Sequence, residues 1–210
     1  MPIDTVQKFN VIPDFIINEC IDDYNSKDKR HPGVMNTADP GIHIGKISNI
    51  VEDILGKKIQ FKSGNYYQHN KPYLPHTDWF SHLDNNLNVV IPLQIQYPMG
   101  HSPSLVVFDQ KWRRNGVTWC MHHPVLDFCP NTGVKGNPNE YPVENKTGLA
   151  MPYNFKSSHL PHYHGLDLFG LSGQAYSFTR GSAIIFDNQC IHCTSYFKGT
   201  KLGLSLRYKL

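Results

Sequence analysis

In the stretch YLPHTDWF, His76 and Asp78 lie two residues apart, the first pair in this sequence that could do chemistry together. Side chains of an extended strand alternate with a period of two, so this imidazole and carboxylate point to one face while Thr77 turns away. Such a pair supplies two-thirds of a two-histidine, one-carboxylate set, which holds a divalent iron on one face of an octahedron and leaves the other positions to small molecules. The best third ligand is His192 in RGSAIIFDNQCIHCTSYF. There a glycine turn, an apolar strand from Ala183 to Phe186 and a polar break at Asp187 and Asn188 precede an isoleucine-histidine pair. The following run, KGTKLGLSLRYKL, puts Lys201, Gly203, Ser205 and Arg207 on one face and Leu202, Leu204 and Leu206 on the other. An inward-facing lysine, serine and arginine beside a metal make an anion site.

Other readings of the same residues stand beside this one. His76 and His192 could be hydrogen-bonded residues of a plain β-sandwich. Cys190 and Cys193 form a CxxC that Cys120, His122, His123 and Cys129 could complete as a zinc site, or they are small buried residues. His159, His162 and His164 in HLPHYHG could hold a second metal, contact substrate or decorate an exposed loop. Asn88 and Gln94 alternate along LNVVIPLQIQY, where they either orient ligands or give ordinary strand polarity.

These residues need elements to carry them. Two helices come first. DFIINECIDDYNS predicts one over 13–25, with Phe15, Ile16, Cys20 and Ile21 at helical spacing. KISNIVEDILGKK predicts another, with a stripe of Ile47, Ile50, Val51 and Ile54, Ser48 as its cap and Gly56 as its stop. From about Lys58 the texture turns to short β-like runs separated by turn signals such as Ser63-Gly64, Asp84-Asn85-Asn86, Arg180-Gly181 and Lys198-Gly199-Thr200. This order predicts an α+β, mainly β protein: an antiparallel sandwich or barrel preceded by helices. Residues 111–171 break the pattern, being rich in Pro, Gly, Asn and His yet carrying Trp112, Trp119, Phe128, Tyr141, Tyr153, Phe155, Tyr163 and Phe169. So many aromatics favour a lid or substrate wall over disorder. The expected organisation is one domain over 1–210, with helical support at 1–57, a β core at 58–110 and 172–210, and the insertion at 111–171.

With 210 residues, 18% charged and a formal net charge of +3, the chain is too mildly basic to imply nucleic acid, and it has no Lys/Arg cluster. The first thirty residues carry acids throughout, and no apolar run approaches the roughly 18 residues needed to span a bilayer. A cytoplasmic protein without a membrane partner is therefore expected. Five cysteines, an odd number, fit a reducing compartment, and twelve histidines direct attention to metal chemistry.

Taken together, His76-Thr77-Asp78, the distal His192 and a basic Lys201 nine positions later resemble the Fe(II)/2-oxoglutarate-dependent oxygenases built on a double-stranded β-helix (jelly roll, cupin-like). YQHNKPYLPHTD also resembles their prolyl hydroxylase-like branch, in which one tyrosine stands about nine residues before the first ligand and another three before it, as Tyr67 and Tyr73 do here. The superfamily's phytanoyl-CoA dioxygenase-like members share the scaffold. The resemblance covers about 60–110 and 175–210. It implies Fe(II), 2-oxoglutarate and O2 as cofactor and cosubstrates, His76, Asp78 and His192 as metal ligands, and Tyr67 and Lys201 as contacts to 2-oxoglutarate. Ser205 is then a hydrogen-bonding neighbour, and Lys201 ranks ahead of Arg207 for the distal carboxylate. Arg207 is left a substrate-anion role or the cosubstrate role. Many relatives carry Arg where this chain has Lys201, and the gap between Asp78 and His192 is longer than in minimal versions. The implied reaction is hydroxylation of a small molecule or peptidyl residue with release of succinate and CO2. Asp78 argues against a halogenase, which replaces that carboxylate to admit chloride. The alternatives are an isomerase on the same scaffold and a cupin-like zinc or non-catalytic β-sandwich protein.

Overall fold

The alternation in LGLSLRYKL dictates a strand with one apolar and one mixed face, and this strand, β9 (Thr200–Lys209), lies between two long antiparallel neighbours. The fold is that of a computed structural model, which describes residues 4–29, 35–73, 75–78, 86–98, 102–111, 147–163, 168 and 170–210. In chain order the elements before β9 are β1 (Val6–Lys8), α1 (Asp14–Ser26), β2 (Met35–Ala38), α2 (Ile44–Leu55), β3 (Gln60–His69), β4 (Asn86–Gln96), β5 (Ser104–Lys111), α3 (Tyr153–His159), β6 (Gly173–Ser177), β7 (Ala183–Asp187) and β8 (Cys190–Thr194). They build a six-stranded sheet in the order β1-β7-β4-β9-β3-β2 and a three-stranded sheet in the order β6-β5-β8, all pairs antiparallel. The described architecture is thus a mainly β antiparallel sandwich with three helices, as the strand-rich texture predicts.

Period-two alternation sorts the apolar residues into layers. On the outer face of the large sheet, Leu202, Leu204, Leu206, Leu87, Val89, Ile91 and Ile185 pack against Ile16, Ile17, Cys20 and Tyr24 of α1 and Ile47 and Val51 of α2. Each such side chain contributes about 1.5–3 kcal/mol on burial, which fixes which face the helices cover. Between the sheets lie Tyr67, Val90, Leu105, Val107, Phe178, Ile184, Phe186 and Cys190. Outside the small sheet, Val106, Phe108, Ile191 and Cys193 are covered by Met151, Leu160, Tyr163, Leu168 and Leu171. The described part of the insertion, expected as a lid or substrate wall over 111–171, therefore roofs the outer face of the small sheet, and its residues 112–146, 164–167 and 169 lie outside the described residues. Among the described residues no helix is long and apolar enough to cross a membrane.

Three differences from the sequence expectation have physical causes. The N-terminal segment supplies strands as well as helices: VQK and MNTA are too short to show alternation, yet they pair with β7 and β3 at the two edges of the large sheet. Helix α2 begins at Ile44, before Ser48, because His43 takes a left-handed conformation (φ 60) at the N-cap. Ser48 then lies inside the helix and donates back to the Ile44 carbonyl at 2.7 Å. Gly56 ends that helix at φ 62 as expected. Finally, YNFKSSH forms a short helix, α3, within what reads as irregular sequence.

Candidate metal centre

The segment around His76 is extended but short of being a full strand. His76 N donates to the His192 carbonyl at 3.0 Å and His192 N donates to the His76 carbonyl at 2.8 Å. Pro72 and Pro75 remove two donors from this segment, so it cannot build a longer ladder along the β8 edge. One bridge is sufficient. Residues directly opposite in an antiparallel pair share a face, and the two imidazoles face each other with centroids 4.3 Å apart. Asp78, two residues on, brings its Oδ1 to 3.7 Å from His76 Nε2 and 4.0 Å from His192 Nε2. One ligand atom from each of the three residues lies within 4.8 Å of the others, and this is the sole such group of His, Cys, Asp or Glu among the described residues. Thr77 is buried on the opposite side.

The electrostatics favour a cation here. His192 Nδ1 stands 3.1 Å from the Cys190 carbonyl; a carbonyl only accepts, so Nδ1 carries the proton and the Nε2 lone pair is free to ligate. Burial lowers the His192 pKa further against the pull of Asp78, keeping the imidazole neutral. For Asp78, burial alone would raise the carboxyl. The Arg207 guanidinium, followed by His192 and His76, more than reverses this and holds it ionised, well below the usual carboxylate range. Arg207 Nη2 reaches Asp78 Oδ2 at 3.3 Å and Asn88 Nδ2 donates to the same oxygen at 2.8 Å, leaving Oδ1 toward the histidines. Two imidazoles, that of His192 held neutral, and an ionised carboxylate, each with an atom turned inward, suit a borderline divalent metal.

The remaining candidate residues line the floor below this cluster. Cross-strand register places Asn88 and Ser63 beside Arg207, Val90 and Asn65 beside Ser205, Tyr67 beside Gly203, and His69 and Ile95 beside Lys201. Gly203 is required by close approach: a Cβ there would meet Tyr67 Oη at 2.5 Å, so the phenol lies across β9. Burial, then Asp78, raises the Tyr67 pKa and keeps it a neutral donor. Ser205 is buried on the same face. Arg207 also donates to Asn65 Oδ1 at 3.0 Å, so its contacts engage the metal-ligand shell, a role absent from the sequence reading. Gln94 sits past the bulge at Pro92, opposite Leu202.

Lys201 is only 2% exposed. Its Nζ donates to Thr194 Oγ1 at 2.7 Å and lies 4.7 Å from the Phe178 ring, 5.5 Å from Tyr67 and 5.7 Å from Phe197. Among the described residues no carboxylate pairs with it, and burial pulls its pKa down to about 7. The ammonium thus has Thr194 Oγ1 as its hydrogen-bond acceptor and no counter-charge among the described residues to offset its burial.

The competing metal readings fare differently. Alternation along β8 sends Cys190 between the sheets and Cys193 to the outer cluster, so the CxxC cannot chelate from one face. Cys120, His122, His123 and Cys129 lie outside the described residues. His159 packs tilted against Phe155 with centroids 4.9 Å apart and His162 against Tyr163 at 4.1 Å; neither joins the metal-ligand group, and His164 lies outside the described residues. Of the insertion aromatics, Trp112, Trp119, Phe128, Tyr141 and Phe169 also lie outside, as does Trp79 beside Asp78. Residues missed by the sequence reading are Thr194 and His69, the latter exposed in principle by the same period of two, since it stands two after Tyr67.

No family model matches the sequence, and no curated protein matches it. Solved structures do match in shape. The non-haem alpha-ketoglutarate-dependent epimerase SnoN from nogalamycin biosynthesis aligns over 98% of this chain and 78% of its own at 11% identity, with TM-score 0.56. HygX from Streptomyces hygroscopicus, solved with nickel, 2-oxoglutarate and hygromycin B, aligns over 98% and 82% at 11% identity and TM-score 0.52. The viral collagen prolyl hydroxylase of Paramecium Bursaria Chlorella virus-1, solved with 2-oxoglutarate, aligns over 98% and 96% at 12% identity and TM-score 0.50. Identities this low speak to the fold: the chain shares the fold of these structures and carries its His76, Asp78 and His192 cluster within it.

Proposed function

We propose that the protein is a non-haem Fe(II)- and 2-oxoglutarate-dependent dioxygenase on a double-stranded β-helix, acting as a single domain. Its reaction is hydroxylation of a small molecule or peptidyl residue with release of succinate and CO2. The observation that carries this reading is the pairing of the His76, Asp78 and His192 cluster, its carboxylate held ionised, with a buried lysine that has no carboxylate partner among the described residues. A plain sandwich would gain by replacing that lysine with an apolar side chain.

His76 Nε2, His192 Nε2 and Asp78 Oδ1 would hold the iron. Iron with 2-oxoglutarate and O2 supplies the oxidising chemistry, which belongs to the cofactor. The chain's own part is placement. Arg207 and Asn88 keep Asp78 ionised and fix which oxygen faces the metal; the Cys190 carbonyl fixes the His192 tautomer. Lys201, with Thr194, receives the distal carboxylate of 2-oxoglutarate, Tyr67 donates to the cosubstrate across Gly203, and Ser205 offers a further hydroxyl. Phe178, Phe186 and Val107 exclude water from the interior between the sheets. Free thiols at Cys20, Cys190 and Cys193 and a ferrous centre both suit a reducing compartment, so we place the protein in the cytoplasm.

The test is anaerobic addition of Fe(II) and then 2-oxoglutarate. A visible metal-to-ligand charge-transfer band should appear and be lost in His76→Ala, and in air the wild type should release succinate. Stoichiometric iron without that band would overturn the cosubstrate assignment; absence of iron binding would overturn the metal centre.

A further inference from the structure

His69 is a buried histidine that the metal cluster does not use. It is 7% exposed, and among the described residues neither ring nitrogen has a hydrogen-bond partner. A histidine kept only for packing normally satisfies at least one nitrogen on a carbonyl or hydroxyl, because an orphaned buried polar group costs its full desolvation. Here the ring is sandwiched between Tyr67 and Tyr73, with centroids 5.1 and 5.2 Å away. Phenylalanine would fill that slot at no such cost, so the nitrogens need another explanation.

Register supplies it. His69 on β3 is directly opposite Lys201 on β9, and directly opposed residues of an antiparallel pair present their side chains on one face. On its other side, Tyr73 leads edge-on to His76 at 4.7 Å. His69 therefore stands between the Lys201 ammonium, which no described carboxylate pairs, and the metal ligands. We propose that His69 binds the cosubstrate itself, its neutral imidazole donating one N–H to the distal carboxylate that Lys201 receives. The assignment rests on the 2-oxoglutarate reading above and adds to it a second donor at the carboxylate end. Burial first, and then the nearby Lys201 and His76, keep the ring uncharged. It thus adds a directional hydrogen bond without adding a second buried charge, which compensates for lysine offering a point charge where a bidentate arginine would offer two aligned donors.

The experiment uses the full chain loaded with Ni(II) and compares calorimetric binding of 2-oxoglutarate with that of pyruvate, which has the same 2-oxo acid end and no distal carboxylate. His69→Phe should weaken 2-oxoglutarate by about ten- to a hundredfold, leave pyruvate and Ni(II) affinity unchanged, and recover in part in His69→Gln. Equal 2-oxoglutarate affinity in His69→Phe, or an equal loss for pyruvate, would overturn the assignment of His69 alone. Failure of the wild type to bind 2-oxoglutarate would instead overturn the cosubstrate reading, and this assignment with it. Should His69→Phe not fold, 15N-histidine spectra of Zn(II)-loaded wild type decide: the His69 ring resonances must move with 2-oxoglutarate and not with pyruvate, and unmoved resonances would overturn the proposal.

Discussion

Lys201→Met should make the protein more stable and unable to hold 2-oxoglutarate. In the metal-free, ligand-free chain Lys201 is charged below pH 7 yet buried among Phe178, Tyr67 and Phe197, with Thr194 as its hydrogen-bond acceptor. A pKa lowered by burial from 10.5 to about 7 corresponds to about 5 kcal/mol of folding free energy at about 1.4 kcal/mol per tenfold. Losing the Thr194 hydrogen bond in the variant offsets part of this, so a gain of about 2–4 kcal/mol is expected at pH 6. For a chain of this size that is a rise in Tm of about 4–16 °C.

The sign with pH follows from proton counting. Between pH 7 and 10.5 the unfolded chain binds the lysine proton and the folded chain does not, so wild-type stability from this group rises with pH across that window. The penalty is complete below pH 7 and relieved above it, and by pH 9 the advantage of Lys201→Met should have shrunk by about 3 kcal/mol, to nearly nothing. Urea unfolding of both proteins at pH 6, 7.5 and 9 measures the difference, in which contributions from titrating groups that do not feel Lys201 cancel. A variant destabilised equally at pH 6 and pH 9 would refute the reasoning, since it would mean that the buried ammonium carries no desolvation penalty for an anion to relieve. Calorimetry on the metal-loaded proteins supplies the other half: wild-type affinity for 2-oxoglutarate should fall as pH rises through 7, and Lys201→Met should bind at least a hundredfold more weakly at pH 6.

Arg207→Gln should weaken divalent-metal affinity by about ten- to a hundredfold. Because burial would then raise the Asp78 carboxyl unopposed by the guanidinium, that loss should grow as pH is lowered, as metal-binding calorimetry at pH 6 and 8 will show; a pH-independent loss would argue for geometry alone. Gly203→Ala forces a Cβ to within 2.5 Å of Tyr67 Oη and should cost about 1–3 kcal/mol of stability. It should also weaken 2-oxoglutarate, and the Gly203→Ala/Tyr67→Ala double variant should lose less stability than the two single losses added together, because removing the phenol relieves the clash; additive losses in denaturant melts would show that the two residues do not compete for that space. Cys190 and Cys193 should remain uncrosslinked under mild oxidation of the folded protein, because they face different layers; a two-hydrogen mass loss mapped to that pair would contradict the layering.

What was legible in the sequence is what a period of two makes local. His76 with Asp78, and Lys201, Gly203, Ser205 and Arg207 against three leucines, can be read off a strand without knowing its neighbours, and the structure puts them on the faces expected. His192 could be singled out by the order of turn, strand and polar break before it, but its bridge to His76 joins residues far apart in the chain. The Asp78, Arg207 and Asn88 clamp was not legible, since it depends on β4 and β9 pairing in the register that sets Asn88 opposite Arg207. The environment of Lys201 was not legible either: that no described carboxylate meets it is a property of every element packed around it. These two long-range facts give the site its polarity. At one end of β9 a guanidinium is neutralised by the carboxylate it holds beside the two histidines; at the other an ammonium has no counter-charge among the described residues. A ligand that chelates a divalent metal through one end and presents a carboxylate at the other satisfies both ends at once, whereas a neutral ligand or a simple monocarboxylate leaves one of them unpaired.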